Sequence, residues 1–256
     1  MWEDTQEGSQ TKRAKLDDAK LDDGFMIGGH DGSVKPNGES CTAEHVLKLK
    51  QAGARGECEE RFLRAACSDP FLSRVAVRYL CTRQDGLQEW LVLENLLAGM
   101  RRPAALDLKV GSRTYGLDAT PEKIREQTMK ARASTLSTLG IRVVGCRMPA
   151  PDSHGDVLEG SKYKSEPQDE HEMRLFLRRF LRFPAFLQQA RTLAADLEHW
   201  FATQASFAIY GSSIFFAFDA ALGSGAELRI RLIDFAHVAP FSDPRYRLDT
   251  CYLDGV

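Results

Sequence analysis

The stretch Pro103-Ala-Ala-Leu-Asp107-Leu-Lys109-Val-Gly111 constrains this chain more than any other. If residues 104–110 form a strand, Asp107 and Lys109 lie on one face and the apolar residues beside them lie on the other. Gly111 lets the backbone turn tightly, or approach a ligand closely, where the strand ends. An acid and a base on one strand face are usually a surface ion pair, so the rest of the chain must decide between that and a functional site.

The bulk composition is that of an ordinary soluble globular protein. Of the 256 residues, 43% are hydrophobic and 27% are charged, and the formal net charge is -2. This charge argues against a generally basic nucleic-acid-binding protein, so we expect no nucleic-acid partner. A strongly anionic ligand would need a local basic patch. The length suffices for one large domain or two lobes.

The cysteines and the apolar runs indicate a reducing compartment and no membrane span. No two cysteines form a C-x-x-C pair, so we expect buried free thiols rather than disulfides or a zinc site. No apolar run approaches the roughly 18–20 residues that a membrane span needs, and the sequence carries no signal peptide. We therefore expect a cytosolic or nuclear protein. The six cysteines are Cys41, Cys58, Cys67, Cys81, Cys146 and Cys251.

The N-terminal third predicts a tail followed by a small lobe of strands and one helix. Residues 1–24 are polar and charged without a periodic pattern, which predicts a disordered tail. The helix should bury Cys58 and Phe62, together with Ala65 and Ala66. The patterned segments are a strand at 44–50, the helix at 55–67, and strands at 75–81 and 89–94 joined by a turn at Asp85-Gly86.

Two charged residues of this region are candidates for a nucleotide site. Lys48 lies among apolar neighbours in its predicted strand, so it is either half-buried against an anion or exposed on an edge strand. Glu59 falls where it can pair with a lysine of a neighbouring strand, an arrangement with which protein kinases aim a lysine at nucleotide phosphates. The apolar segment 94–100 has the composition that an adenine site needs, with backbone groups for the edge of the base and apolar side chains for its faces.

A helix with a basic face follows the central strand. Thr120 can cap it, Pro121 suits its first turn, and it should run to about Leu139 before Gly140 ends it. Such a face is usually only solvated. Because it begins shortly after the acid and base of the central strand, it also suits the floor of a site for a substrate with many phosphates. The helix carries Lys123, Gln127 and Lys130 at the spacing i, i+4, i+7, with Arg113, Arg125 and Arg132 nearby in sequence.

The remaining sequence leads to a second acid, Asp234. A carboxylate just past a buried strand end is a favourable Mg²⁺ ligand, because the sheet fixes it beside a cleft, although it can equally cap a turn. The predicted elements are a buried strand at 141–146, a loop at 149–168 with Lys162 and Lys164 facing a ligand, helices at 170–183 and 184–204, a pair of strands at 207–210 and 214–219 around Gly211-Ser212-Ser213, and a strand at 227–234.

Three motifs occur in the same order as in a known family. The stretch from Pro103 to Gly111 resembles the P-x-x-x-D-x-K-x-G signature of the inositol polyphosphate kinases. Ser212-Ser213-Ile-Phe resembles their S-S-L-L box, and Ile233-Asp-Phe-Ala-His237 resembles their I-D-F-A-H box. The resemblance covers about residues 25–253.

Within this family, the details are closest to the inositol hexakisphosphate kinases. Leu93-Glu-Asn-Leu, the segments 116–123 and 134–146, and Gln204-Ala-Ser-Phe resemble that branch more than the multikinases. The short span between Tyr115 and Ile141 leaves no room for the large inositide-binding insertion of the trisphosphate 3-kinases.

The resemblance implies a two-lobed, protein-kinase-like α+β fold with ATP and Mg²⁺ between the lobes. The N-lobe with its hinge would comprise residues 25–98 and the C-lobe residues 99–256. The protein would be a monomer that phosphorylates inositol polyphosphates, most simply inositol hexakisphosphate to a diphosphoinositol pentakisphosphate. A multikinase acting on inositol tris- and tetrakisphosphates and a non-catalytic inositide-binding scaffold are the alternatives.

The resemblance also implies a role for each candidate residue. Asp107, Lys109 and Asp234 would be catalytic, and Asp234 and Ser213 would hold the metal. The ATP-binding residues would be Lys48, Glu59, Glu94, Leu96, Asp107 and Asp234. The inositide-binding residues would be Lys109, Arg113, Lys123, Gln127, Lys130 and His237.

Three departures from the family pattern stand out. Ser212-Ser213-Ile-Phe replaces both leucines of its box, which is conservative. Glu126 stands where multikinases carry a polar amide, and it adds a negative charge near the inositide. The chain also ends at Tyr252-Leu-Asp-Gly-Val256, where the family continues into a closing helix, so we expect that C-terminal helix to be missing.

Overall fold

A computed structural model describes residues 33–37, 44–149, 157–158, 167–204 and 206–240. The predicted tail at 1–24, the segment from residue 25 to 32, Lys162, Lys164 and the C-terminal residues 241–256 lie outside these ranges. Within them the chain has an α+β architecture of three antiparallel sheets with helices between their strands.

The described strands are β1 (Val34–Pro36), β2 (His45–Leu49), β3 (Tyr79–Asp85), β4 (Gln88–Glu94), β5 (Pro103–Val110), β6 (Ile141–Pro149), β7 (Val157–Leu158), β8 (Phe207–Ile209), β9 (Ser213–Asp219), β10 (Arg229–Ile233) and β11 (Val238–Pro240). The helices are α1 (Ala54–Ala66), α2 (Leu72–Val75), α3 (Pro121–Arg132), α4 (Leu136–Leu139), α5 (Glu170–Phe180) and α6 (Pro184–Thr203), with a 3-10 helix at Ala220–Gly225.

The first sheet joins four antiparallel strands in the order β1-β2-β4-β3. Helix α1 packs beside it, with contacts to β3 and to β11. The side chains of Phe62 and Leu63 are almost completely buried in the core, as the helical period predicted for this segment requires. Cys58 and Ala65, also predicted to be buried, are only half-buried.

The predicted hairpin of the first sheet is confirmed, with one boundary moved. Strands β3 and β4 pair across a turn at Gly86, whose φ of 61° lies in the left-handed region that glycine favours. The strand before the turn begins at Tyr79, four residues later than predicted, because Leu72–Val75 form helix α2. The carboxylate of Asp69 accepts a hydrogen bond from the amide of Leu72 at 2.7 Å and so caps the start of that helix.

The second sheet has five antiparallel strands in the order β10-β9-β5-β6-β7, with the predicted strand β5 at its centre. Partners on both sides bury β5, and Leu106 and Val110 are completely inaccessible to solvent. The pairing of β5 with β6 shifts by one residue between Asp107 and Leu108. Such a bulge changes the direction of a side chain locally, and here it lies at the acid of the sequence signature.

The long helix predicted for residues 120–139 is wrong in its second half. Thr120 caps α3 by accepting a hydrogen bond from Lys123 N, as expected, but α3 ends at Arg132 and a separate short helix, α4, precedes Gly140. The hydroxyls of Ser134 and Thr135 explain the break. Ser134 donates to the carbonyl oxygen of Ala131 at 3.0 Å and so competes with the helical hydrogen bonds, whereas Thr135 donates to that of Ile141 at 2.7 Å and so ties the chain to the start of β6.

The predicted pairing of residues 207–210 with 214–219 is also wrong. Strand β8 pairs with β11 in a separate two-stranded sheet, whereas β9 pairs with β5 on one side and β10 on the other. Both edges of β9 are therefore occupied. Gly211, with a φ of 61°, lets the chain leave one sheet and enter the next.

The four cysteines that the structure describes are free, but only some of them are buried. Among the described residues, Cys146 is buried, Cys58 is half-buried, and Cys67 and Cys81 are exposed. The prediction of free thiols is confirmed for these four, and the prediction that they are buried is wrong for the two exposed ones. Within the described part of the chain, no helix is long and apolar enough to cross a membrane.

Aromatic packing fixes α1 against the segment that follows β10. The ring of Phe62 on α1 lies 4.5 Å from that of Phe235 and 5.3 Å from that of Phe207. Phe235 is completely buried and directly follows Asp234. The core therefore holds the backbone next to Asp234 against the helix that carries Glu59.

Two arginines of β10 brace the connection between the first and second sheets. Arg229 donates hydrogen bonds to the carbonyl oxygens of Leu96 (3.1 Å) and Ala98 (2.8 Å), and the guanidinium of Arg231 lies 2.9 Å from the carboxylate of Glu94. The lobe boundary predicted between residues 98 and 99 falls in this connection and stays a prediction. The brace holds the predicted hinge against the strand that leads to Asp234.

Candidate functional site

A cleft of about 720 Å³ lies where the two large sheets meet. Both sheets, the connection between them and helix α3 contribute to its walls. The lining includes apolar side chains that suit the faces of a base and charged side chains that suit phosphates. The apolar ones include Val34, Val46, Val77, Leu96, Leu97, Phe215 and Ile233, and the charged ones include Lys48, Arg55, Glu59, Glu94, Asp107, Lys109, Lys123, Lys130, Arg142 and Asp234.

Lys48 joins two acids from distant parts of the chain. Its ammonium lies 2.6 Å from Glu59 Oε1 on α1 and 2.6 Å from Asp234 Oδ1. Only 14% of the Lys48 side chain and 2% of the Glu59 side chain are exposed. Burial lowers the pKa of Lys48, but the two carboxylates outweigh this effect and raise the pKa above its usual value. Lys48 is therefore a charged, half-buried lysine inside the cleft, not an exposed residue of an edge strand.

Asp234 is held in an unusual backbone conformation. It directly follows β10 and has a φ of 65°, a value that costs energy for any residue other than glycine and that Asp and Asn tolerate best. Burial raises the pKa of its carboxyl group, but Lys48 and Lys109 outweigh burial and lower it, so the group is ionised. The fixed backbone and the two lysines aim an anionic carboxylate into the cleft.

Asp107 is buried beside Asp234 and lacks a full set of partners. It is 4% exposed, and its Oδ1 has no hydrogen-bond partner among the described residues. Burial, and next the charge of Asp234, raise the pKa of Asp107 to about 7, although Lys109 opposes the shift. The hydroxyl of Ser213, on the neighbouring strand, is buried next to this carboxylate and also opposes the rise in its pKa.

The unpartnered Oδ1 of Asp107 and the nearby Asp234 carboxylate fit a divalent cation. A hard cation such as Mg²⁺ prefers carboxylate oxygens and usually takes one or two of them, leaving its other positions to phosphate and water. No group of three or more His, Cys, Asp or Glu side chains in the described ranges converges as a closed metal cage. The pair Asp107 and Asp234, with Ser213 nearby, therefore suits a metal that arrives with a phosphate ligand.

Lys109 stands between this acidic pair and the rest of the cleft. Its ammonium donates a hydrogen bond to the carbonyl oxygen of Gly211 at 2.6 Å. Its charge opposes the rise in the pKa of Asp107 and contributes to the lowered pKa values of Asp234 and His237. Lys109 is thus close enough to influence both walls of the cleft.

Helix α3 brings the predicted basic face to the cleft. Lys123, Gln127 and Lys130 all line it, and Gln127 accepts a hydrogen bond from the Thr114 hydroxyl at 3.1 Å. The carboxylate of Glu126 lies 3.3 Å from Lys123 Nζ and 2.6 Å from Lys130 Nζ. Glu126 therefore competes with any anionic ligand for both lysines.

His237 also lines the cleft, in a cationic environment. Burial, and next the charge of Arg55, lower its pKa, while Asp118 opposes the shift. The imidazole is therefore neutral at neutral pH and can donate one hydrogen bond and accept another.

Arg113, expected to bind substrate, does not line the cleft. Its guanidinium lies between the rings of Tyr115 and Tyr210, 4.7 and 4.3 Å from their centroids, and its Nε donates to the carbonyl oxygen of Tyr115 at 3.0 Å. Two cation–π contacts hold the side chain away from the cleft. Sequence proximity to Lys109 was a poor guide to its position.

Two arginines that sequence reasoning missed do line the cleft. Arg55 lies in the first turn of α1, and Arg142 on β6 is paired with Lys109 on β5. The Nε of Arg142 is buried without a partner among the described residues. The only available signal for Arg142 was the pairing of β5 with β6, which a single sequence does not supply.

Glu94 and Leu96, the predicted adenine-binding residues, line the other end of the cleft. The Glu94 carboxylate accepts a hydrogen bond from the Arg78 amide at 2.9 Å, in addition to its ion pair with Arg231. Asn95 turns the chain between them, because its side chain accepts a hydrogen bond from the Leu97 amide at 2.9 Å. The backbone of this segment is thus held in place by side chains.

Comparison with known proteins matches this chain to one family. The family model for inositol polyphosphate kinase matches residues 90–256, more than half of the chain. Mouse inositol hexakisphosphate kinase 1 is 34% identical over 157 residues, which cover 58% of this chain and 35% of the mouse protein. The chain thus spans about a third of the length of that relative. A rice multikinase (Oryza sativa subsp. indica) is 28% identical over 248 residues, covering 83% of this chain and 84% of the rice protein.

Solved structures agree on the fold. The inositol phosphate multikinase of S. cerevisiae, in complex with ADP and Mn²⁺, superposes with a TM-score of 0.60 at 22% identity, covering 82% of this chain and 94% of the yeast one. At that identity the likeness concerns the fold, and it agrees with the α+β architecture of antiparallel sheets and helices described above. With its motifs, its fold and its family model in agreement, the chain belongs to the inositol polyphosphate kinase family.

Proposed function

We propose that this protein is an ATP- and Mg²⁺-dependent kinase that phosphorylates inositol polyphosphates, with inositol hexakisphosphate as its preferred acceptor. The observation that carries the proposal is the position of Lys109. The charge of its ammonium acts on Asp107 and Asp234 on one wall of the cleft and on His237 on the opposite, cationic wall. A phosphoryl group passing from nucleotide to acceptor would cross the cleft at this point.

The nucleotide would bind along the wall that runs from Glu94 to Asp234. The backbone of residues 94–96 would bind the edge of adenine, and the apolar lining would pack on its faces. Lys48, aimed by Glu59, would bind the phosphates. Asp107 and Asp234 would hold Mg²⁺, which would neutralise charge on the β- and γ-phosphate oxygens.

The acceptor would bind on the cationic wall. Every positive group there offsets repulsion between two polyanions, by about 1–4 kcal/mol for each pair of charges 4 Å apart, depending on the dielectric. The attacking atom of a fully phosphorylated ring is already an anionic phosphate oxygen, so the site needs no general base for it. Positioning and charge stabilisation supply the catalysis. The groups available are Arg55, Lys109, Lys123, Gln127, Lys130, Arg142 and His237.

One incubation tests the proposal. The protein is mixed with Mg-ATP and, separately, inositol tris-, pentakis- and hexakisphosphate, and the products are resolved by charge. The proposal expects ADP release together with a product more anionic than hexakisphosphate. If only the trisphosphate is turned over, the protein is a multikinase and not a hexakisphosphate kinase. Binding of inositol phosphates without any turnover would identify a non-catalytic scaffold and reject the kinase.

A multikinase is the second candidate because Glu126 engages two lysines of the acceptor wall. An internal carboxylate there favours acceptors that carry fewer phosphates. We further propose a monomer that acts in the cytosol or the nucleus. The absence of a candidate membrane span within the described residues is compatible with this location.

A further inference from the structure

We propose that Lys50 is a positioning residue: it clamps α1 to the first sheet so that Glu59 reaches Lys48. The inference rests on the proposed nucleotide-binding role of Lys48. It assigns a function to a lysine that lies outside the cleft lining and that no motif singles out.

Two lysines of one strand end bind two neighbouring acids of one helix. Lys48 and Lys50 are two residues apart, so they point to the same side of the extended chain. Lys48 binds Glu59, and Lys50 lies 2.9 Å from the carboxylate of Glu60. The pair of Lys50 with Glu60 thus repeats the pair of Lys48 with Glu59, shifted by one residue along α1.

The Lys50 ammonium is buried within a cluster that joins three elements. It also lies 2.8 Å from Glu57 on α1 and 3.1 Å from Glu89 on β4, and only 7% of its side chain is exposed. Its backbone amide donates to the carbonyl oxygen of Glu89 at 2.9 Å. One residue therefore ties the end of β2 to both α1 and β4.

The start of α1 depends on this cluster. The residue at its N-cap, Gly53, provides no side-chain hydrogen bond, so the usual cap is missing. Gly56 lets the first turn approach the strand end closely, because a Cβ there would collide with the carbonyl oxygen of Gln51 and with the Lys50 side chain. The first turn thus lies directly on Lys50.

The carboxylates around Lys50 explain why its positive charge is needed to hold α1 in place. Its ammonium is surrounded by three carboxylates, and the Glu60 carboxylate is shared with Arg64 (2.7 Å) and with the Thr82 hydroxyl (2.8 Å). Without Lys50, the carboxylates of Glu57, Glu60 and Glu89 would repel one another at close range. That repulsion pushes α1 away from the sheet and moves Glu59 away from Lys48. A displacement of about 1 Å at a catalytic group lowers rates strongly.

The test compares Lys50→Met with Lys35→Met. Lys35 lies on β1 of the same sheet, pairs with Asp85 at 3.7 Å and does not line the cleft, so its variant is a matched control. For each protein we would measure the Kd of Mg-ADP by calorimetry, kcat, KM for ATP and KM for the acceptor. We expect Lys50→Met to weaken nucleotide binding and to lower kcat by about tenfold each, with KM for the acceptor unchanged. The control should stay within about twofold of wild type.

A second variant keeps the test decisive if Lys50→Met does not fold. Lys50→Met combined with Glu57→Gln removes one of the repelling charges and leaves the bonds of Glu60 to Arg64 and Thr82 intact. This double variant should bind Mg-ADP more tightly than Lys50→Met, or fold and bind Mg-ADP where Lys50→Met does not fold, which loss of packing alone would not allow. A folded Lys50→Met protein whose Kd, kcat and KM values equal those of Lys35→Met would overturn the proposal.

Hydrogen exchange separates this inference from the proposed function. Amide exchange in the first turns of α1 should be faster in Lys50→Met than in Lys35→Met, with or without nucleotide. A wild-type protein that binds no nucleotide would sink the proposed function, and the exchange rates would still decide whether Lys50 clamps the helix. Equal exchange in the two variants rejects the clamp even if the wild type is an active kinase.

Discussion

The ammonium of Lys48 lies 2.6 Å from Oδ1 of Asp234, although 186 positions separate the two residues in sequence. This ion pair links the two walls of the cleft, because Lys48 lies on β2 of the first sheet and Asp234 follows β10 of the second sheet. Glu59 holds the other side of the same ammonium. The two ion pairs thus hold the proposed phosphate-binding groups together, and in the proposed complex a nucleotide with its metal would replace the contact between Lys48 and Asp234.

Lys109→Ala and Asp234→Asn should each lower kcat by at least about 100-fold while leaving the fold intact. In the proposed mechanism, Lys109→Ala removes the charge between donor and acceptor, and Asp234→Asn removes an anionic ligand of the metal. Asn tolerates the positive φ at position 234, so the backbone there should not change. Steady-state kinetics and the thermal midpoint check both statements. A kcat equal to wild type in either variant would reject the assigned role.

Arg142→Met should raise KM for the inositol phosphate by about tenfold and leave KM for ATP within about twofold. The guanidinium lines the acceptor side of the cleft, opposite Lys109, and its Nε has no partner among the described residues. Arg178→Met, at an exposed position of α5, is the matched control. Equal acceptor KM values for the two variants would contradict the assignment.

Glu126→Gln should improve kcat/KM for inositol hexakisphosphate by about three- to tenfold, and for the trisphosphate by less. The substitution frees Lys123 and Lys130 from an internal carboxylate and removes its repulsion of the acceptor. Glu122→Gln removes a glutamate one turn earlier on α3 that pairs with Arg125, outside the cleft, and serves as the control. If both variants change kcat/KM for the two acceptors equally, Glu126 does not discriminate between them.

Glu60→Gln should destabilise the protein at neutral pH but not in strong acid. Burial raises the pKa of Glu60, but hydrogen bonds from Lys50, Arg64 and Thr82 outweigh it and lower the pKa to about 2. Since the folded-state pKa lies below the unfolded-state value, the stabilisation is complete above about pH 4.5 and is lost as the pH falls towards 2. The difference in the free energy of unfolding should be on the order of 1–2 kcal/mol at pH 7. Urea titrations across that window check it, and a difference independent of pH would contradict it.

Local patterns predicted the elements that depend on neighbours in sequence. The alternation around Asp107 and Lys109 predicts β5, and the helical period that places Glu59 predicts α1. The spacing of Lys123, Gln127 and Lys130 predicts their common face on α3, and the structure brings that face to the cleft. These features follow from side-chain periodicity, which a single sequence contains.

Features that depend on strand partners could not be predicted in this way. The pairing of β8 with β11, the position of Arg142 opposite Lys109 and the burial of Asp107 all follow from which strands become neighbours. The position of Arg113 was unpredictable for a related reason, because two tyrosines distant from each other in sequence hold its side chain outside the cleft lining. Register and long-range packing decide these positions, and periodicity carries no information about either.

Strand β10 fixes a length as well as a position. Arg229, its first residue, holds the carbonyl groups of the connection between the sheets, and Asp234 follows its last residue. Extended chain does not stretch, and five residues span roughly 17 Å at about 3.3 Å each. The length of β10 therefore sets the distance between the segment that Arg229 binds and the carboxylate of Asp234. A movement of one sheet relative to the other would not change this distance.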